Sequence, residues 1–282
     1  MLTPRIIADA VRAALDEDAP WGDLTAELTI DEHAQLETVV SAREAGVFAG
    51  GPLIAEAFRQ ADARIRVTEI VEEGRRFGAQ DTLAVIAGPA RGILTAERVA
   101  LNFAQRLSGI ASLTAQYVDA VRGTKAAIAD TRKTTPGLRA LEKHAVRAGG
   151  GRNHRFGLSD AIMVKDNHLV ALGATEGAEL TEALRVLRAQ AGHTTSIIVE
   201  VDRLSQLEPV LEAGVTGVLL DNFSLTDLEQ GVRIVAGRAI CEASGGVNLD
   251  TVAAIAETGV DVISVGRLTH GATALDLGLD AR

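Results

Sequence analysis

The alternation of apolar and polar positions divides the chain at about residue 124. Beyond it a unit recurs in which a short β-rich run ends in polar residues and a helical stretch follows. The runs are KAAIADTRK (125–133), DAIMVKDNH (160–168), TSIIVEVD (195–202), TGVLLDN (216–222), RAICEASGG (238–246) and VDVISVGR (260–267). Helical patterns such as EGAELTEALRVLRAQAG, LSQLEPVLEAG and LDTVAAIAETG lie between them, several closed by a C-cap glycine. Runs apolar along their whole length, alternating with helices, predict a parallel sheet. Six such units suit an α/β barrel or an open doubly wound sheet. The way the runs end favours the barrel: Arg132-Lys133, Lys165-Asp166, Glu200 to Asp202, Asp221-Asn222, Glu242 to Ser244, and Ser264-Gly266-Arg267. In a barrel such strand ends share one mouth, where active sites are built. Polar residues end any strand that reaches solvent, which accounts for one or two of these ends more easily than for all of them.

The first hundred residues follow another pattern. ETVVSAREAGVFAGG and ARIRVTEIVEEGRRFGAQDTLAVIAG alternate like antiparallel strands, with GPLIAEAFRQA as a helix between them. TAERVALNFAQRLSGIASLTAQYVDAVRG predicts one or two helices. The expected architecture is α/β. An N-terminal α+β domain precedes an α/β barrel, and the tail THGATALDLGLDAR packs back on the rest.

Composition narrows the function. The 282 residues are 47% apolar and 23% charged, with a formal net charge of −10, the profile of a globular protein. A pI near 5.1 argues against a general nucleic-acid binder, and 3% aromatics leave little for base stacking. No apolar run approaches the ~18 residues that span a bilayer. The start MLTPRIIADAVRAAL lacks a signal-peptide core, so a cytoplasmic address is expected. Cys241 is the only cysteine, which excludes an internal disulfide and all-cysteine metal sites; it reads as a core residue rather than a nucleophile.

Against that acidic background, DTRKTTPGLRALEKHAVRAGGGRNHRFG (130–157) gathers Arg132, Lys133, Arg139, Lys143, Arg147, Arg152 and Arg155 with His144 and His154, opposed only by Asp130 and Glu142. Arg132 and Lys133 sit where a strand meets the mouth, His154 and Arg155 follow the triple glycine, and Lys165 ends the next strand. Such a cluster repels itself unless an anion occupies it, and arginine can grip a carboxylate bidentately. Arg139, Lys143 and Arg147 lie on a helix and read as an exposed or salt-bridged face. Ser244-Gly245-Gly246 and Gly266 follow the last two strands, where barrel loops often bind phosphate; glycines there could also simply turn the chain. Glu200 and Asp221 end consecutive strands beside Asp202. Hard carboxylates facing a phosphate site suit Mg²⁺ or sugar hydroxyls, and no HExxH spacing supports zinc. The residues describe an anion clamp, an acidic wall and phosphate turns, which does not name a reaction.

The block DTRKTTPGLRALEKHAVRAGGGRNHRFGLSDAIMVKDNH resembles the quinolinate phosphoribosyltransferase family. GDLTAELT (22–29), LTAERVALNFAQRLSGIAS (94–112), VEVD (199–202), LLDNF (219–223), SGG (244–246) and ETGVDVISVGRLTH (257–270) extend the likeness over nearly the whole chain. The resemblance implies an N-terminal α+β sandwich (1–105), an incomplete α/β barrel of about six or seven parallel strands (106–267) and a tail (268–282) that packs on the first domain. It also implies transfer of phosphoribose from 5-phosphoribosyl-1-pyrophosphate to quinolinate with Mg²⁺. The products are nicotinate mononucleotide, pyrophosphate and CO₂, in NAD biosynthesis, with no organic cofactor. It implies that Arg98, Thr131, Arg132, Lys133, His154, Arg155 and Lys165 bind quinolinate. Glu200, Asp221, Ser244, Gly245, Gly246, Val265, Gly266 and Arg267 would bind phosphoribosyl pyrophosphate. Lys133, Lys165, Glu200 and Asp221 would be catalytic, with Glu200 and Asp221 near Mg²⁺. Arg98 reaching a neighbouring site implies a homodimer or a larger assembly. Arg267 departs from the small residue the family carries in its SVGALTH-like stretch. Two alternatives stand beside this reading: the related protein of molybdenum-uptake operons, from which an intact Lys165 separates the chain, and a non-catalytic sugar-phosphate sensor.

Overall fold

The computed structural model describes residues 2–282. In chain order its elements are α1 (Pro4–Asp18), α2 (Leu24–Thr29), β1 (Gln35–Ala42), β2 (Gly46–Val47), α3 (Gly51–Ala61), β3 (Arg66–Thr68), β4 (Arg76–Phe77), β5 (Thr82–Pro89), α4 (Ala90–Ala120), β6 (Ala127–Ala129), α5 (Arg139–Ala148), β7 (Ile162–Val164), α6 (Asp166–Leu172), α7 (Gly177–Gln190), β8 (Ile197–Val201), α8 (Leu207–Glu212), β9 (Gly217–Asp221), α9 (Leu225–Val235), β10 (Ile240–Ser244), α10 (Val252–Glu257), β11 (Val262–Ser264), α11 (Arg267–His270) and β12 (Leu277–Ala281). They form two compact units. The first holds the residues up to 115 with 134–150 and 268–282; the second holds 116–133 and 151–267.

The first unit is built on a four-stranded antiparallel sheet in the order β12-β1-β5-β3. Leu53, Ile54, Ala57 and Phe58 form one fully buried stripe of α3, the spacing of an amphipathic helix facing a core. Its N-terminus is held by Glu73, whose carboxylate accepts the Gly50 and Gly51 N–H groups at 2.9 and 2.7 Å; an acid there also suits the helix dipole. The segment that allowed one helix or two is the single 31-residue α4. A Cβ on Gly109 would lie 2.0 Å from the carbonyl oxygen of Thr273, so the C-terminal segment crosses this helix at backbone contact before β12 pairs with β1. Gly109→Ala is therefore expected to force the segment off the helix and lower the thermal midpoint, as read by calorimetry.

Helix α5 departs from the exposed or salt-bridged face expected of Arg139, Lys143 and Arg147 chiefly in its burial. Arg147 is exposed, but Glu142 and Lys143 are buried at 0% and 3% exposure. Glu142 accepts from the Arg106 guanidinium at 2.9 Å, the Thr135 hydroxyl at 2.8 Å and the Thr135 N–H at 3.0 Å. Arg106 also donates to the carbonyls of Ala272 and Thr269 at 2.8 and 2.5 Å. The charge run is thus partly an internal brace, because an acid with four lone-pair sites can satisfy a guanidinium and a turn together.

The second unit contains all six expected strands in one parallel sheet, ordered β6-β11-β10-β9-β8-β7. The first strand in sequence, β6, pairs with the last, β11, and β7 pairs with β8. Beyond β6 there is only the single bridge Ala129↔Arg152. The seventh place is one residue pair long, and the barrel is incomplete between β6 and β7.

Candidate active site

The expectation of wholly apolar strands gives way to a two-sided pattern, and the register shows why. Glu200 and Glu242 both stand opposite Leu219, so the three share one level and one face. Lys165 follows Val164, which stands opposite Val199, so Lys165 comes level with Glu200. Two residues further along the same face Asp221 stands opposite Ser244, and Ser264 opposite Ala129. Side chains alternate between faces, and the other face carries Val199, Val201, Val218, Leu220, Cys241, Ala243 and Ile263, all buried. Helix α9 covers that face: a Cβ on its Gly231 would come within 2.9 Å of Leu220. The helix-covered face holds the core, and the opposite face lines the barrel with acids, hydroxyls and one lysine around the buried Leu219.

Cys241 belongs to the covered face. Burial, with Asp261 next, pushes its thiol up to about 12, which leaves no thiolate for chemistry at neutral pH.

On the lining face, Lys165 and Glu200 form a hydrogen-bonded ion pair. Asp221 accepts from the Asn222 side chain at 2.7 Å. After β6, the Thr131 hydroxyl accepts the Lys133 N–H at 3.0 Å, a local turn that leaves Arg132 and Lys133 exposed. The Arg155 guanidinium donates to the Ala161 carbonyl at 3.1 Å. Burial, and then the charge of Arg132, pull Arg155 below the usual arginine range, with Asp160 opposing. The two arginines therefore feel each other, as the self-repelling cluster requires. His154 lies with Nε2 3.4 Å from the Glu242 carboxylate, and its own N–H goes to Asp130 at 2.8 Å.

The turn after β10, where phosphate binding is expected, holds Gly245 and Gly246 at φ +90° and +62°. A Cβ on Gly245 would lie 2.2 Å from the Asn222 side-chain oxygen. Gly245→Ala is expected to distort this turn and raise the KM for the phosphorylated substrate about tenfold or more, the loss of one charge-assisted hydrogen bond; steady-state kinetics with that substrate varied checks it. In the following turn the Val265 side chain is buried and its N–H is donated to the Ala129 carbonyl at 2.9 Å. Val265 thus offers a ligand neither side chain nor N–H. Arg267 is exposed, and its charge reaches the buried Tyr117 phenol, which burial chiefly raises and Arg267 lowers.

The structure thus brings Thr131, Arg132, Lys133, His154, Arg155, Lys165, Glu200, Asp221, Ser244, Gly245, Gly246, Val265, Gly266 and Arg267 into the second unit. Arg98 belongs to the first unit and is exposed on α4. Glu242, Asp130 and Asn153 were not singled out from sequence. Asp130 is fully buried and accepts from Asn153 at 2.7 Å and from the His154 N–H.

Comparison with known proteins decides what this arrangement belongs to. The family models "Quinolinate phosphoribosyl transferase, N-terminal domain" and "C-terminal domain" match residues 23–108 and 110–280. The chain belongs to the quinolinate phosphoribosyl transferase family. It is 44% identical to the nicotinate-nucleotide pyrophosphorylase (carboxylating) of Mycobacterium leprae, over 96% of both chains. The probable enzyme of that name from Bacillus subtilis is 40% identical, over 94% of this chain and 89% of that one. The NadC structure from Streptococcus pyogenes superposes with a TM-score of 0.94 at 42% identity, covering 100% of this chain and 99% of the other. As a family member, the chain carries its lining acids and cations on a fold shared along its full length. No helix among the described residues is long and apolar enough to cross a membrane.

Proposed function

We propose that the chain is a carboxylating nicotinate-nucleotide pyrophosphorylase, a pentosyltransferase joining quinolinate to the phosphoribosyl group of 5-phosphoribosyl-1-pyrophosphate in NAD biosynthesis. The observation that carries the site assignment is the sheet face on which Lys165, Glu200, Asp221 and Ser244 converge, beside Arg155 and Arg132. Two ring carboxylates of quinolinate answer the repulsion between the arginines, with Lys133 and Lys165 at the remaining carboxylate and phosphate oxygens. Ser244, Gly245, Gly246 and Gly266 cradle the 5′-phosphate, and Glu200 and Asp221 take the ribose hydroxyls.

The acids suit Mg²⁺ only in a limited sense. Glu200 is already paired with Lys165, and among the described residues no group of three or more His, Cys, Asp or Glu could hold a metal. That fits an ion carried mainly by pyrophosphate oxygens with one or two carboxylates, Glu200 and Asp221. Bound there, it would offset charge on the departing pyrophosphate.

The chemistry follows from charge and position. The pyridine nitrogen forms its bond to ribose C1 as the C1–oxygen bond to pyrophosphate breaks, and the nitrogen becomes cationic. That cation stabilises the carbanion left when the adjacent carboxylate departs as CO₂, and the carbanion takes up one proton. No side chain need remove a proton for the first bond, so permanently charged Arg and Lys serve mainly to hold two mutually repelling anions in reach. Lys133, Lys165, Glu200 and Asp221 are the proposed catalytic groups.

A homodimer in which Arg98 completes the neighbouring site is part of the proposal. Trp21, Leu24 and Leu28 stand 93%, 72% and 82% exposed in the first unit, an apolar ridge of the kind that protein contacts cover. The direct test is to incubate quinolinate, phosphoribosyl pyrophosphate and Mg²⁺ with micromolar protein and follow nicotinate mononucleotide. Absence of product from folded protein removes the proposal and leaves the sensor reading.

A further inference from the structure

We infer that Glu242 is a positioning residue: it holds His154 in one tautomer and, through it, fixes the backbone of Arg155. The inference rests on the reading of Arg155 as a carboxylate ligand. Glu242 sits mid-strand in β10 on the lining face, level with Glu200, and is 4% exposed. Its Oε1 is buried without a hydrogen-bond partner, while Oε2 lies at ion-pair distance, 3.4 Å, from His154 Nε2 without forming a hydrogen bond to it. A carboxylate so placed is expensive to bury, and on this face an apolar residue would fill the space at less cost. Its retention calls for a function.

His154 shows what that function is. Its Nδ1 accepts the Arg155 N–H at 2.7 Å. A ring nitrogen that accepts a hydrogen bond carries no proton, so the ring is neutral with its proton on Nε2. Nε2 lies at ion-pair distance from the Glu242 carboxylate, whose negative charge favours a proton on this nitrogen over the alternative. The opposite tautomer would turn an Nδ1–H against the Arg155 N–H, two donors at one contact. The His154 N–H and the Asn153 side chain are both held by Asp130, at 2.8 and 2.7 Å. Two buried acids, Asp130 from below the backbone and Glu242 from the ring side, thereby fix residues 153–155. Arg155 leaves this frame with its guanidinium anchored on Ala161.

The test uses the full-length protein. In ¹⁵N spectra of histidine-labelled wild type, with the His154 signal assigned by its loss in His154→Asn, the expected pattern is a pyridine-type Nδ1 and a pyrrole-type Nε2. Glu242→Leu, which removes the facing charge, is expected to lose that pattern and raise the KM for quinolinate about tenfold, the scale of one charge-assisted contact. The KM for phosphoribosyl pyrophosphate and kcat stay within about twofold, since only the carboxylate clamp is affected. Glu242→Gln keeps the shape and a partial negative charge on its carbonyl oxygen and is expected to restore part of the affinity. A protonated Nδ1 in wild type overturns the inference, as does a folded Leu variant with an unchanged quinolinate KM. If wild type turns over no substrate, the functional reading fails, and the ¹⁵N pattern still decides the tautomer.

Discussion

Arg155→Ala is expected to raise the KM for quinolinate by about 10- to 100-fold and leave the KM for phosphoribosyl pyrophosphate near its parent value. A hydrogen bond to a charged group contributes about 1.5–3 kcal/mol, and each 1.4 kcal/mol is about tenfold. Arg155 is the better choice for this test than Arg132. It is half-buried, whereas Arg132 is exposed, and burial together with Arg132 already disfavours its charge. A dianion bound between them relieves both costs, so losing Arg155 removes a contact that is tighter with substrate than without. Arg155→Lys keeps the charge but loses the planar fork, and an intermediate KM is expected. Initial rates with each substrate varied in turn separate the two constants. An Arg155→Ala enzyme with unaltered quinolinate KM would take Arg155 out of the site.

Glu142→Ala is expected to be the most destabilising single change on α5. It strips the acceptor from Arg106, the Thr135 hydroxyl and the Thr135 N–H at one stroke, and leaves a guanidinium that is itself 28% exposed facing an emptied, fully buried position. Removing one partner of a buried ion pair costs about 3–5 kcal/mol, which in a chain of this size corresponds to a fall in thermal midpoint of roughly 10 °C. Glu142→Gln retains a carbonyl acceptor and should lose less. Scanning calorimetry of both variants checks the order. A midpoint within about 2 °C of the parent for the alanine variant would mean that solvent satisfies Arg106 and Thr135 as well as Glu142 does.

The strands were legible because a parallel strand announces itself by an apolar run, and each of the six runs contains one. In sequence their polar residues read as ends emerging into a mouth. Register shows that Glu200 and Glu242 sit within the strands, on the lining face. A period-2 alternation across only three to five residues is too short to separate from a polar terminus, which is why Glu242 was named only as a strand end and given no role of its own. Arg132, Lys133 and Arg155 drew attention in the sequence by their charge in an acidic chain, and the structure places all three in the second unit. The burial of Glu142 and Lys143 was not legible. Glu142's partner Arg106 lies 36 positions away, and nothing local distinguishes an internal brace from a solvated helix face. The turn glycines carried a cue in their type, but only the close approach of Gly245 to Asn222 shows that one of them has no room for a side chain.

The central claim is that this barrel lining holds quinolinate by its two carboxylates and releases one of them after the ribosyl bond forms. The most direct measurement uses quinolinate labelled with ¹³C at the C2 carboxylate, with phosphoribosyl pyrophosphate and Mg²⁺, and counts labelled CO₂ against pyrophosphate. One labelled CO₂ for each pyrophosphate, and none when phosphoribosyl pyrophosphate is omitted, is the predicted result. Pyrophosphate released without labelled CO₂, or labelled CO₂ formed without phosphoribosyl pyrophosphate, would contradict it.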